Sequence, residues 1–139
     1  MADTTIKLEI LTPLGPKRRG LDVAGVEIPG YLGELGVLPD HVPFITPVVP
    51  GVVRFKENGE SVRIAVGAGF LEVTRDNRVV ILVERALEVA EIDPAKARDR
   101  LKEVQAELSR DLGSVDAAEH RKLSTEQGWL EAQIRAAQP

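Results

Sequence analysis

The chain has 139 residues, of which 43% are hydrophobic and 4% aromatic, a composition ordinary for a globular protein able to bury a core without covalent staples. It has no cysteine, which excludes disulfides and thiolate metal sites, and its net charge of −4 lacks the basic footprint of a nucleic-acid binder. Met1 to Thr5 is short and polar with no apolar stretch behind it, so no secretory signal is expected. No apolar run approaches the ~20 residues that span a bilayer, so any membrane link is expected to come through a partner.

Up to about Ala90 the pattern has period two. In Ile6-Lys7-Leu8-Glu9-Ile10 apolar and charged residues alternate, as in a strand with one buried face. The run Val52-Val53-Arg54-Phe55-Lys56 and the run Val62-Arg63-Ile64-Ala65-Val66 flank Asn58-Gly59, a pair suited to a tight hairpin because both turn positions need positive φ. A second hairpin is predicted across Arg75-Asp76-Asn77-Arg78. It joins Leu71-Glu72-Val73 to Val79-Val80-Ile81-Leu82-Val83, whose apolar residues on both faces suit a central strand. Frequent Pro and Gly make the strands short. The expectation is an antiparallel β-sandwich or flattened barrel over residues 1–90.

From residue 91 to 139 the period becomes helical. Asp93 reads as an N-cap and Pro94 as the first helical residue, where its missing N–H costs nothing. Ala97, Leu101, Val104, Leu108 and Leu112 then share one stripe. Gly113-Ser114 breaks the helix, and Asp116 with Glu119 forms a capping box for a second one. That helix has a sparser stripe of Leu123, Leu130 and Ile134, and Gly128 weakens it by about 1 kcal/mol relative to alanine. The two make an antiparallel α-helical hairpin. Charge follows the division: 10 basic and 14 acidic residues precede Pro94, against 8 and 8 from Pro94 on.

No catalytic constellation stands out. Gly15 and Gly20 have P-loop spacing, but Leu21 stands where lysine is required. Gly67-Ala68-Gly69 lacks a third glycine and precedes a strand, which indicates tight backbone packing. His41 and His120 lie in different regions without cysteine partners, so no metal site is expected. Asp40-His41 has no positioned nucleophile beside it. The expectation is a protein without catalytic residues, metal or cofactor.

One segment carries more information: Gly33-Glu34-Leu35-Gly36-Val37-Leu38-Pro39-Asp40-His41-Val42-Pro43. It resembles the Gly-Glu-Leu-Gly-(Ile)-x-Pro-x-His-x-Pro loop of the epsilon subunit of F-type ATP synthases. Pro50-Gly51, Gly69-Phe70-Leu71-Glu72-Val73 and Ile92-Asp93 follow in that family's order, so the resemblance covers essentially the whole chain. It implies a rotor subunit whose sandwich sits at the foot of the central stalk, against the gamma subunit and the c-ring. Glu34, Leu35 and His41 are the implied partner contacts, with Glu34 at an acidic loop tip. The hairpin is implied to be regulatory, either folded on the sandwich or extended into the catalytic alpha/beta hexamer, where it blocks hydrolysis.

Arg110, Arg121, Lys122 and Arg135 are the candidates for contacts to acidic segments there, and the sparse stripe of the second helix suits an element that need not stay docked. Some family members bind ATP through an Ile/Leu-Asp-x-x-Arg-Ala motif. Here Ile92, Asp93, Lys96 and Ala97 stand at those positions, with lysine replacing arginine and Glu103 seven residues on. The resemblance further implies peripheral attachment at the cytoplasmic face of a membrane, and the lack of a transit-like presequence favours a bacterial over an organellar source. The alternative reading is a free-standing β-sandwich binding module with a helical oligomerisation tail.

Overall fold

A computed structural model describes residues 4–110 and 117–138. The described residues form β1 (Ile6–Thr12), β2 (Gly15–Val23), β3 (Val26–Gly30), β4 (Gly33–Val37), β5 (Phe44–Val48), β6 (Gly51–Glu57), β7 (Glu60–Val66), β8 (Gly69–Val73), β9 (Arg78–Val83) and β10 (Ala86–Glu88). A 3-10 turn at Val89–Glu91 leads into helices α1 (Pro94–Arg110) and α2 (Ala117–Ala137).

The strands pair in the order β10-β7-β6-β3-β5-β8-β9-β1-β2, with β4 on the free side of β3. This makes two five-stranded walls, joined where β3 meets β5 at Gly30 and Val48. Alternation along the strands turns Ile6, Leu8 and Ile10 inward to meet Ile28, Val53, Ile64, Leu71 and Ile81 in one continuous core. Burying each such side chain contributes about 1.5–3 kcal/mol. The sandwich is thus the expected one, antiparallel except where β1 runs parallel to β9. Those two strands are distant in sequence and are joined by no hairpin that would force them antiparallel.

Both predicted hairpins form. Asn58 and Gly59 take φ of 53° and 81° between β6 and β7, and Asn77 takes 58° in the turn from β8 to β9. Gly69 explains the glycine cluster before β8. A Cβ there would lie 1.8 Å from the Leu82 carbonyl oxygen, so β8 and β9 approach more closely than any side chain permits.

The edges β2 and β10 are brought together by ion pairs. Arg18 on β2 donates to Glu57 on β6 at 3.0 Å and to Glu88 on β10 at 2.8 Å, and Lys17 meets Glu91 at 2.6 Å. Burial pulls the Arg18 pKa down, but its bonds to Glu88 and Glu57 more than offset this and leave it raised. The Lys17 ammonium, followed by the Glu88 backbone N–H, holds the Glu91 carboxyl below the usual glutamate value.

At the entry to α1, Asp93 Oδ1 accepts the Lys96 N–H at 3.1 Å, which makes it the cap the sequence predicts. Ala97, Leu101, Val104 and Leu108 pack against Leu123, Leu130 and Ile134 of α2. Leu112, the Gly113-Ser114 break and the Asp116 end of the capping box lie outside the described residues.

The single stripe read on α2 was incomplete. A second face, Trp129, Ala132 and Ala136, packs on Val52 and Ala65 of the sandwich and on Ile92. Small alanines let the helix lie close to the sheet, and they escape a search for large apolar residues. Gly128 belongs to the same approach: a Cβ there would stand 3.4 Å from Pro50 Cβ. The docked helix is therefore held on two sides, by α1 and by the sandwich.

Candidate interaction surfaces

The strand register places the β1–β2 and β3–β4 turns at one end of the sandwich, because Leu11 aligns with Leu82, Gly69 with Val83, and Gly30 with both Gly33 and Val48. That end carries Leu14, fully exposed, with Tyr31 and Leu32 at the tip of the β3–β4 hairpin, also exposed. Glu34 is not at a loop tip, as expected, but on β4 opposite Pro29, two residues beyond Leu32. Glycine-rich segments read as loops, yet Gly33 and Gly36 here flank residues that satisfy a strand ladder. Glu34 is exposed, whereas Leu35 is half-buried and packs against the core opposite Ile28.

His41 stands beyond the other end of β4, so the structure separates Glu34 from His41 instead of joining them in one loop. The His41 ring lies 5.1 Å from that of Phe44, and its Nδ1 is 2.9 Å from the Val42 carbonyl oxygen. Asp40 does not serve it as a carboxylate partner. Its N–H donates to Asn77 Oδ1 at 2.6 Å, and its own Oδ1 accepts from Asn77 Nδ2 at 3.1 Å, latching the loop to the β8–β9 turn.

The two walls differ on their outer faces. α2 covers Val52 and Ala65 on one. On the other, Pro47, Phe70, Leu82 and Leu11 stand in register across β5, β8, β9 and β1. Phe70 is 59% exposed and Leu82 52%, and Ile45 beside them is 68% exposed. Apolar side chains aligned on an open sheet face mark a docking surface. The sequence reading missed this row by taking the two-sided apolar run at Val79–Val83 as buried on both sides. β9 is central in its pairing, but Leu82 faces outward.

On the hairpin, Arg110, Arg121, Lys122 and Arg135 are all exposed. Arg121 and Lys122 line a shallow pocket with Arg100, Glu119 and Glu126, while Arg135 lies in the last turn of α2. Arg100 joins the helices. Its Nη2 stands 2.6 Å from Glu126 Oε1 and its Nη1 3.0 Å from Glu103, and the bonds to Glu126 and then Glu103 raise its pKa.

The four nucleotide-motif positions are mostly occupied by structural work. Ile92 and Ala97 are buried, Asp93 caps α1, and Lys96 alone is exposed without a side-chain partner among the described residues. Among the described residues no group of three His, Cys, Asp or Glu gathers as a metal site. No described helix is long and apolar enough to cross a membrane.

The described residues thus form a ten-stranded sandwich with a helical hairpin laid on one wall and an apolar row open on the other. The family described as "ATP synthase, Delta/Epsilon chain, beta-sandwich domain" matches residues 5–89. The ATP synthase epsilon chain of Pelotomaculum thermopropionicum is 40% identical over 110 residues, covering 79% of this chain and 81% of that one. That of Anoxybacillus flavithermus is 44% identical over 94 residues, covering 68% and 69%. The chain belongs to the ATP synthase delta/epsilon family, as an epsilon chain. Among solved structures, a chain of the Euglena gracilis mitochondrial ATP synthase, OSCP/F1/c-ring, superposes with a TM-score of 0.83 at 25% identity. It covers 99% of this chain and 83% of that one. A chain of the Tetrahymena thermophila mitochondrial ATP synthase central stalk/c-ring shares the fold, with a TM-score of 0.63 at 13% identity, covering 99% and 100%.

Proposed function

We propose that the chain is a non-catalytic central-stalk subunit of a proton-translocating ATP synthase, bound to the gamma subunit and the c-ring, whose hairpin restrains ATP hydrolysis when it leaves the sandwich. The observation that carries this reading is the division of the sandwich surface. One outer wall is covered by the chain's own α2, and the other keeps Phe70, Leu82 and Ile45 in water. The open wall is the surface for gamma. The end bearing Leu14, Tyr31, Leu32 and Glu34 suits the polar loops of the c-ring, with His41 as a contact at the opposite end.

The helical part, residues 91–139, acts as the regulatory unit on a sandwich of residues 1–90. α1 and α2 have 17 and 21 residues. Opened end to end they would reach on the order of 60 Å at 1.5 Å per residue, carrying Arg110, Arg121, Lys122 and Arg135 toward the catalytic alpha/beta hexamer. Attachment through partners makes the chain peripheral, at the cytoplasmic face of a bacterial membrane. The rival reading, a free-standing module with an oligomerisation tail, is disfavoured because both apolar faces of α2 are already occupied within the chain.

The test is a binding measurement with purified gamma subunit. Phe70→Glu combined with Leu82→Glu puts two charges into a contact whose apolar members contribute up to about 1.5–3 kcal/mol each on burial. Affinity is expected to fall at least tenfold with the fold retained. Unchanged affinity of the folded double variant would move the gamma contact elsewhere.

A further inference from the structure

Next to the end of α2, the wall formed by β3, β6 and β7 carries a charge arrangement that the rotor reading does not use. Glu27, Arg54 and Arg63 stand in one row across the three strands, so the two arginines are direct cross-strand neighbours. Like charges in that position repel. Glu27 faces Arg54 in register, yet among the described residues neither Arg54, Arg63 nor Lys56 forms an ion pair with any carboxylate. Arg63 Nη1 donates to the Gln138 carbonyl oxygen just past α2. Arg54 Nη1 is buried and has no hydrogen-bond partner among the described residues. Elsewhere the arginines that knit this fold, Arg18 and Arg100, are each bound by two carboxylates.

The three cations line a groove of about 700 Å³ together with Ala24, Gly25 and Leu38, while the Phe55 and Val62 side chains of the same strands turn into the core. Its size and its combination of apolar lining with a few convergent polar groups are those of a small-molecule site. In a chain of net charge −4, a local surplus of cations without carboxylate partners is complementary to an anion. Glu27 on the same row disfavours a second negative charge on the ligand.

We propose that this groove binds a small amphipathic monoanion: a carboxylate held by Arg54 with help from Lys56 and Arg63, and an apolar body lying on Ala24 and Leu38. A guanidinium fork suits a carboxylate, because two parallel N–H groups meet its two oxygens. Arg63 is shared with the end of α2, so Arg54 and Lys56 are the residues to vary.

The probe is decanoate, titrated onto the full chain by calorimetry and followed by amide chemical shifts. One saturable site is expected, with shifts confined to β3, β6, β7 and the segment around Leu38. Decanol, which lacks the charge, and acetate, which lacks the body, are expected to bind at least tenfold more weakly. Arg54→Met keeps an apolar stem and should weaken decanoate at least tenfold. Lys56→Gln, at an exposed position, should weaken it severalfold and serves should the first variant fail to fold. The proposal is overturned by decanol binding as well as decanoate, by the folded variants binding like the parent chain, by shifts centred on the first half of α2, or by no saturation below about 1 mM.

Discussion

Ala132 is fully buried where α2 meets the sandwich, between Trp129 and Ala136 and against Val52, Ala65 and Ile92. Replacing it with glutamate tests whether the hairpin is a separable docked element. The three α2 side chains that form this seat hold it by one tryptophan, worth about 3–5 kcal/mol, and two alanine methyls at about 0.8 kcal/mol each. An unpaired carboxylate forced into the same seat costs several kcal/mol after relaxation. The two magnitudes are comparable, so Ala132→Glu is expected to shift α2 off the sandwich while the main core, which shares no residue with this cluster, stays folded. Trp129 is the single tryptophan and sits in the seat itself, so its fluorescence reports the event directly. Its emission should move to the red and become accessible to acrylamide, while amide exchange in β1, β8 and β9 remains slow. A blue, protected Trp129 in the variant would refute the seat. Loss of protection throughout the strands would refute the separability.

Glu34→Ala changes an exposed strand residue, so stability should stay within about 0.5 kcal/mol. ATP-driven proton pumping should nevertheless fall, and normal pumping would remove Glu34 from the c-ring interface. Mg-ATP should bind no tighter than about 1 mM, roughly −4 kcal/mol. Lysine at position 96 lacks the planar fork of arginine, and Glu103 and Glu126 hold Arg100 between them. A saturable micromolar site in a calorimetric titration would overturn that expectation.

The strands were legible because alternation and turn chemistry are local. Ile6 to Ile10, the Asn58-Gly59 turn and the Asp93 cap each follow from residues a few positions apart. What the sequence hid depends on which elements meet. Leu82 reads as core until β9 is seen to lie in a wall whose outer face no helix covers among the described residues. Ala132 and Ala136 read as filler until α2 is laid on Val52 and Ala65. Glu34 and His41 look adjacent in a motif, but an intervening strand carries them to opposite ends of β4. Arg54 reads as the polar half of an alternating strand, and only pairing with β7 sets it beside Arg63. Distance along the chain was the wrong measure at each of these positions.

The central claim is that the sandwich attaches while the helices regulate. The most direct measurement compares ATP hydrolysis by the catalytic complex bearing the full chain with hydrolysis by the complex bearing a chain ended after Ala90. Occupancy of each form is checked by its retention on gamma. The account predicts equal retention and a faster hydrolysis rate with the shortened chain. Equal rates at equal retention, or loss of the shortened chain from gamma, would contradict it.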